Sequence, residues 1–222
     1  MNVAKITQKK GFEKALEIFN TFKKKEGSKH IATPLSIHVV RMLAKRSKKI
    51  LEIGSGIGTL SYTILANSDV LLTMYEDNAF CIGELKKNLR EFYGRSTLIT
   101  SYTKMPPERY FDLVIVDGGN GQEHDGGYKQ FILDLFSMIY PKIIYIEGVR
   151  RPQRRMIRDA LRGRFILRAK KVPYSGEYKG GTLYYCYRAP SILCELSYRW
   201  NQFREHPRFE KYFGRIKPPK AQ

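Results

Sequence analysis

The chain has 222 residues, with 40 Lys and Arg against 21 Asp and Glu, and therefore a formal net charge of +19. Its 42% hydrophobic content suffices for the core of one α/β domain, and no apolar run approaches the roughly 18 residues of a membrane helix. The polar first ten residues lack the apolar stretch of a secretory signal, and the three cysteines are too scattered for a disulfide or zinc framework. We therefore expect a cytoplasmic protein with Cys81, Cys186 and Cys194 as buried thiols.

The N-terminal part of the chain indicates two helices. Residues 11–26 place Phe12, Leu16, Phe19 and Phe22 near one face of an amphipathic helix. A second helix opens at Thr33-Pro34, where threonine suits the N-cap and proline suits the first helical position, and continues to about residue 44.

Strands and helices alternate through the rest of the chain. We predict strands at 50–53, 70–75, 97–100, 111–116 and 142–147, and helices at 59–67, 79–92, 128–139 and 152–162. Two further strands near 164–172 and 182–188 form a closing antiparallel hairpin. This order predicts an α/β fold with a doubly wound, mostly parallel seven-stranded sheet that ends in the hairpin.

Three strand ends carry the residues of a binding crevice. Residues 50–58 read Ile-Leu-Glu-Ile-Gly-Ser-Gly-Ile-Gly, a short strand that turns into Gly54, Gly56 and Gly58 before a helix begins. Such a turn lets backbone N–H groups approach a nucleotide-like ligand closely. The next strand ends on Glu76 and Asp77, about 20 residues on, where such folds place the carboxylate that binds ribose. Strand 111–116 ends on Asp117 at the same edge.

These motifs resemble those of the class I S-adenosylmethionine-dependent methyltransferases. Leu-Glu-Ile-Gly-Ser-Gly-Ile-Gly-Thr-Leu is similar to the family's first motif, with Glu52 as the acid before the glycines, and Phe-Asp-Leu-Val-Ile-Val-Asp-Gly is similar to its fourth strand. The resemblance covers roughly residues 30–188. It implies S-adenosylmethionine as cofactor, S-adenosylhomocysteine as product, and a cofactor site that we list as Glu52, Gly54, Ser55, Gly56, Gly58, Glu76, Asp77, Ser101, Tyr102 and Asp117. Ser101 and Tyr102 stand where the family usually has an acid for the adenine amine.

The resemblance also divides the chain. It implies a basic helical extension at 1–30, the methyltransferase domain at 31–190, and a basic and aromatic tail at 191–222. An NAD-dependent oxidoreductase is disfavoured, because Thr59 stands where the third glycine of the dinucleotide fingerprint would fall.

Candidate catalytic residues follow the fourth strand. A general base for the acceptor could be Asp117, His124 or Asp125, with histidine favoured by its near-neutral pKa and the alternative that residues 118–127 form only a surface loop. Asp117-Gly118-Gly119-Asn120 departs from the motif of enzymes that methylate exocyclic amines and is closer to O-methyltransferases. We assign no metal, although a hard cation on Asp117, Glu147 and a loop carboxylate is an alternative.

The positive charge is concentrated in three segments. Residues 1–49, 150–171 and 198–222 carry net charges of +10, +9 and +5, which leaves −5 for the remainder with its predicted cofactor site. In the helix at 152–162 we predict a nucleic-acid-binding face of Arg151, Arg155, Arg158 and Arg162 opposite an apolar stripe, with a merely solvated face as the alternative. The aromatic residues of the tail suit base stacking or, equally, a helix docked on the domain.

Three functions remain open at this point. The first is a methyltransferase for a polyanionic acceptor, RNA or another nucleic acid. The second is an O-methyltransferase for a small molecule or sugar, and the third is a catalytically silent nucleic-acid-binding subunit that keeps the fold. The oligomeric state stays undetermined.

Overall fold

The computed structural model describes residues 9–118, 128–148, 150–172 and 180–205. The helices are α1 (Lys9–Lys23), α2 (Pro34–Ala44), α3 (Thr59–Leu65), α4 (Ala79–Asn88), α5 (Tyr128–Met138), α6 (Arg151–Ala160) and α7 (Ser191–Glu205). The strands are β1 (Lys49–Ile53), β2 (Leu71–Tyr75), β3 (Ser96–Ile99), β4 (Tyr110–Val116), β5 (Tyr140–Glu147), β6 (Phe165–Val172) and β7 (Gly181–Arg188). In these parts of the chain no helix is long and apolar enough to cross a membrane.

The seven strands form one sheet in the order β3-β2-β1-β4-β5-β7-β6. The first five strands of that order pair in parallel, and β7 pairs antiparallel with both β5 and β6. The predicted doubly wound sheet with a terminal antiparallel hairpin is therefore confirmed. The predicted start of β5 lies after Pro141, because proline usually interrupts strands. The strand begins two residues earlier than predicted, and Pro141 lies within it opposite Phe111.

Local signals in the sequence set the helix starts. Thr33 caps α2, since its side chain accepts a hydrogen bond from the Ser36 N–H at 3.3 Å, and Pro34 opens the helix as predicted. Helix α4 is shorter than predicted: it ends at Asn88, and a 3-10 helix at Arg90–Arg95 replaces its last turn.

Two apolar layers cover the two faces of the sheet. One contains the buried side chains of α1, α2 and α3, among them Ala15, Phe22 and Ile64. The other contains those of α5 and α6, among them Phe136 and Ile157. The N-terminal helix thus contributes to the core, with Phe12 and Phe19 packed partly buried at its margin.

Candidate functional site

The glycine turn after β1 is held by the ends of its two neighbouring strands. The N–H groups of Gly54 and Ser55 both donate to the carbonyl of Tyr75 at 3.0 Å, and the N–H of Gly118 donates to the carbonyl of Ile53 at 2.9 Å. Gly54 has a φ of +83°, and a Cβ there would overlap the Cα of Gly118. Only glycine fits this crossing of two backbones, so the turn is built by close approach.

Gly56 differs from Gly54 because its open side faces no protein atom. Its φ is +53°, and a Cβ built on it meets nothing within 4 Å in the described parts of the chain. The backbone of the turn is therefore accessible to a ligand at the carboxyl edge of the sheet, as the sequence predicted from the glycines.

The carboxylate of Glu76 ties this turn to helix α4. One oxygen accepts the N–H of Gly56 at 2.6 Å, and the other accepts the N–H groups of Asp77 and Asn78 at 3.1 and 3.0 Å. Glu76 is buried, whereas the neighbouring Asp77 is exposed. Glu76 thus fixes the position of Gly56, a role in addition to the ribose contact that the resemblance implies.

Glu52 lies beneath the turn with a perturbed acidity. Its side chain is 1% exposed, and the Ser61 hydroxyl donates to its Oε2 at 2.5 Å. Burial raises the pKa of Glu52 to about 7 despite that hydrogen bond. A carboxyl here can therefore change protonation near neutral pH.

Three buried polar atoms around the turn, Glu52 Oε1, Ser55 Oγ and Thr59 Oγ1, make no well-formed hydrogen bond among the described residues, although the Ser55 hydroxyl is close enough to Glu52 to lower its pKa. Buried polar atoms in native proteins are nearly always paired, so unpaired ones clustered at one turn indicate a polar ligand or water. Together with the open side of Gly56, these atoms fit the amino acid and sugar groups of S-adenosylmethionine.

Tyr102 belongs to an aromatic cluster next to this crevice. Its ring stacks on Tyr75 with 5.9 Å between centroids and 13° between planes, and it meets Tyr128 edge to face at 5.4 Å. Burial raises the pKa of its phenol above the usual value. The adjacent Ser101 hydroxyl lies 2.8 Å from that of Thr103. A flat apolar wall of this kind suits an adenine ring.

A second group of polar side chains joins the ends of β4 and β5. Arg150 Nη2 lies 3.1 Å from Asp117 Oδ1 and 3.9 Å from Glu147 Oε2. The Ser36 hydroxyl at the start of α2 donates to Glu147 Oε1 at 3.0 Å and accepts the Tyr145 hydroxyl at 3.0 Å. We call Asp117, Glu147, Arg150 and Ser36 the carboxylate cluster.

The cluster perturbs Asp117. Burial and the nearby Glu147 carboxylate raise its pKa well above the usual value, and the Arg150 guanidinium only partly opposes them. Arg150 supplies positive charge between the two carboxylates, the place that the sequence analysis considered for a hard cation. In the described ranges no group of three or more His, Cys, Asp or Glu side chains could hold a metal ion.

Two residues that the sequence analysis did not select hold the chain after Asp117. The Gln153 side chain donates to the Gly118 carbonyl at 2.5 Å, and the Tyr128 hydroxyl donates to it at 2.7 Å. Like Arg150 and Ser36, Gln153 and Tyr128 reach the site from different parts of the chain, so no local sequence motif identifies them. The candidate residues His124 and Asp125 lie in 119–127, outside the described residues.

The predicted arginine face of α6 needs correction. Arg158 is 7% exposed and lines a small cavity with Leu161, Phe165 and Tyr198, where α7 packs against β6. It cannot lie on an open surface, because α7 covers that side of α6.

The other arginines of the set are exposed, and two of them are paired. Arg155 Nε lies 4.0 Å from Asp159, and Arg162 makes a bidentate contact to Glu195 at 2.6 and 2.7 Å. Arg155 and Arg162 therefore both have carboxylate partners. Their predicted role in nucleic-acid binding, like that of Arg151, stays a prediction.

A family of known proteins matches the part of the chain that contains the glycine turn. Residues 23–118 match the family "Methyltransferase small domain". No sequence among the curated proteins matches the chain.

Solved structures share the fold over most of the chain. An O-methyltransferase from Bacillus cereus in complex with S-adenosylhomocysteine is 15% identical, with a TM-score of 0.57 over 81% of this chain and 92% of that one. A protein of Pyrococcus horikoshii that is proposed to be an RNA methyltransferase is 19% identical, with a TM-score of 0.55 over 80% and 99%. The O-methyltransferase TomG from Streptomyces achromogenes, in complex with S-adenosylmethionine, is 17% identical, with a TM-score of 0.55 over 81% and 91%.

Proposed function

We propose that this protein, a class I S-adenosylmethionine-dependent methyltransferase, transfers the methyl group to a nucleic acid, with RNA as the first candidate. The observation that supports a nucleic-acid acceptor is that exposed lysine and arginine side chains lie on both sides of the crevice. We propose the cytoplasm as its compartment, where three free thiols would stay reduced.

The residues of the glycine turn would hold the cofactor. The backbone of Gly54, Gly56 and Gly58 and the buried polar atoms of Glu52 and Ser55 lie where its polar groups need partners. We assign Glu76 and Asp77 to the ribose and Ser101 and Tyr102 to the adenine. The cofactor carries its own leaving group in the sulfonium, so it supplies an activated methyl group when bound.

Asp117 is the proposed proton acceptor. Its raised pKa lets the carboxylate take a proton from an acceptor hydroxyl or amine at Oδ, as a general base requires. Arg150 holds the other side of the carboxylate and stabilises its ionised form. Ser36, which accepts the Tyr145 hydroxyl, donates to Glu147 and orients it, and the Glu147 carboxyl is close enough to that of Asp117 to hydrogen-bond it and raise its pKa. His124 and Asp125 remain proposed contributors from the loop.

Basic side chains flank this cluster on two sides. On one side, Lys24 and Lys29 are exposed near Gly27, where an added Cβ would meet the side chains of Phe80 and of Ile57 in the glycine turn. On the other side, Arg151 is exposed at the start of α6, and Lys171 is exposed on β6, at the same edge of the sheet. Cations at these positions would neutralise phosphates on both sides of a nucleotide that enters the crevice.

The test is transfer of tritiated methyl from S-adenosylmethionine to total RNA, to DNA and to a panel of catechols and sugars with and without magnesium. We expect labelled RNA, with a rate that falls steeply as salt rises, because each neutralised phosphate releases counterions. Asp117→Asn should lose most of the transfer, typically 100-fold or more for a general base, and calorimetry measures how much of the cofactor affinity depends on the same side chain.

The O-methyltransferase alternative has its own support, because two of the similar solved structures are O-methyltransferases. Transfer to a small acceptor with unlabelled RNA would establish it and overturn the proposal. Cofactor binding and RNA binding without transfer to any acceptor would instead indicate the catalytically silent subunit.

A further inference from the structure

A second cleft lies at the opposite edge of the sheet. It has a volume of about 500 Å³ and lies between the first residues of β1, β4, β5 and β6 and the last residue of β7. Its main lining residues are Lys48, Lys49, Tyr110, Tyr140, Lys142 and Arg188. The length of β4, seven residues, separates it from Asp117 by about 20 Å.

A stack of aromatic rings and guanidinium groups forms the wall of this cleft. Tyr110 and Tyr140 stack with 5.0 Å between centroids and 17° between planes. The Arg188 guanidinium lies 4.4 Å from the Tyr140 centroid and 5.5 Å from that of Tyr110, and Arg164 lies 4.9 Å from Tyr140. Tyr110 ends the stack and is 61% exposed. The stack can therefore be extended by another flat ring.

The cleft is also positively charged. Lys48, Lys49, Lys142 and Arg188 line it together with one acid, Asp112. The Asp112 carboxylate already accepts the backbone N–H groups of Lys48 and Lys49 at 2.8 and 3.1 Å and the Lys142 ammonium at 2.6 Å. These contacts lower the pKa of Asp112. The second acid nearby is Glu108, whose carboxylate lies 3.9 Å from the Lys49 ammonium.

We propose that this cleft binds a single-stranded segment of the acceptor RNA, with a base stacked on Tyr110 and phosphates on Lys142, Lys48 and Arg188. The inference rests on the proposed function and makes it more specific, because an acceptor that reaches both edges of the sheet must be a polymer. Exposed aromatic rings among cations are the usual platform for single strands. Protein interfaces, in contrast, are depleted in lysine, and three lysines line this cleft.

Two variants with matched controls test the proposal. Tyr110→Ala removes the end of the stack, and Tyr93→Ala removes a ring that is 54% exposed in the 3-10 helix that precedes β3, the strand at the far end of the sheet from β6. Lys142→Ala removes a side chain that is 78% exposed and whose ammonium lies 2.6 Å from a carboxylate. Lys87→Ala removes one with a 74% exposed side chain, also 2.6 Å from its acid, Glu84.

Binding of fluorescein-labelled 20-nucleotide oligoadenylate and oligouridylate is measured by anisotropy as a function of salt, beside duplex RNA of the same length. We expect Tyr110→Ala to weaken single-strand binding about tenfold, since stacked bases contribute that order of affinity. We expect Lys142→Ala to reduce the slope of log affinity against log salt by about 0.7, and the two controls to change neither quantity.

Methyl transfer separates this inference from the proposed function. If the protein methylates RNA and Tyr110→Ala and Lys142→Ala bind and react like their controls, the inference is overturned and the proposed function stands. If no RNA is methylated but single strands bind with the expected dependence on Tyr110, the cleft is supported and the proposed function is overturned. Equal losses with duplex RNA would also overturn the inference, because paired bases cannot stack on a side chain.

Discussion

Replacing Glu52 by glutamine tests the raised acidity beneath the glycine turn. The folded protein holds the proton of Glu52 up to a pKa of about 7, whereas the usual value is 4.5. The folded state therefore binds a proton more tightly than the unfolded state does, and the protein loses stability as pH rises from about 4.5 to 7. The glutamine variant has no such proton to release.

The size of the effect follows from the shift. Each pKa unit corresponds to about 1.4 kcal/mol, so ionised Glu52 costs the folded state about 3 kcal/mol above pH 7. Between pH 5 and pH 8 the wild-type protein should lose about 2–3 kcal/mol of unfolding free energy through this group. Glu52→Gln should be more stable than wild type at pH 8 and close to it at pH 5.

Urea unfolding at pH 5, 6, 7 and 8 for wild type and variant measures this difference. Asp117 also has a raised pKa, and the Glu52 charge is one of its causes, so Glu52→Gln also lowers the pKa of Asp117 and stabilises the variant at high pH in the same direction. Glu17→Gln, which replaces a side chain that is 63% exposed on α1, is the matched control and should follow wild type at every pH. A wild-type minus variant difference that does not change with pH would refute the reasoning.

Three further predictions concern the turn, the carboxylate cluster and a helix cap. Gly54→Ala should prevent stable folding because its methyl group would overlap Gly118, whereas Gly56→Ala should cost only about 1 kcal/mol in a urea melt and weaken cofactor binding in calorimetry; equal stability losses would contradict this. Arg150→Gln should lower the unfolding free energy by about 2 kcal/mol at pH 8, and the loss should shrink as the pH is lowered, because the carboxylate that it leaves is protonated more readily at lower pH; a loss that grows as the pH falls would count against the raised pKa of Asp117. Thr33→Ala should cost about 1 kcal/mol through the lost cap, and Thr33→Ser should restore most of it.

The strands were predictable because the information that identifies them is local. An apolar run that ends in glycine or an acid identifies both a strand and its carboxyl end, and parallel strands bring those ends to one edge. Glu52, Gly54, Glu76 and Asp117 could therefore be placed together before any coordinates. The glycine pattern also predicted the open backbone at Gly56.

The carboxylate cluster was not predictable in the same way. Ser36 and Glu147 are 111 residues apart, and Arg150 and Asp117 are 33 apart, so their contacts depend on how helices pack at the sheet. The prediction that Arg158 lies on an exposed face was wrong for a similar reason. Its position in α6 is periodic with exposed residues, and only the packing of α7 against β6 buries it.

The two apolar layers have a consequence for how the chain assembles. Most of the layer on one face comes from residues between Ala15 and Leu89, and most of the other comes from residues between Phe111 and Tyr184. During synthesis the first layer can condense around β1 and β2 while the second half of the protein is still being made. The other face of the sheet stays uncovered until α5 and α6 have been synthesised. The chain therefore exposes most apolar surface, and is most prone to aggregate, midway through translation.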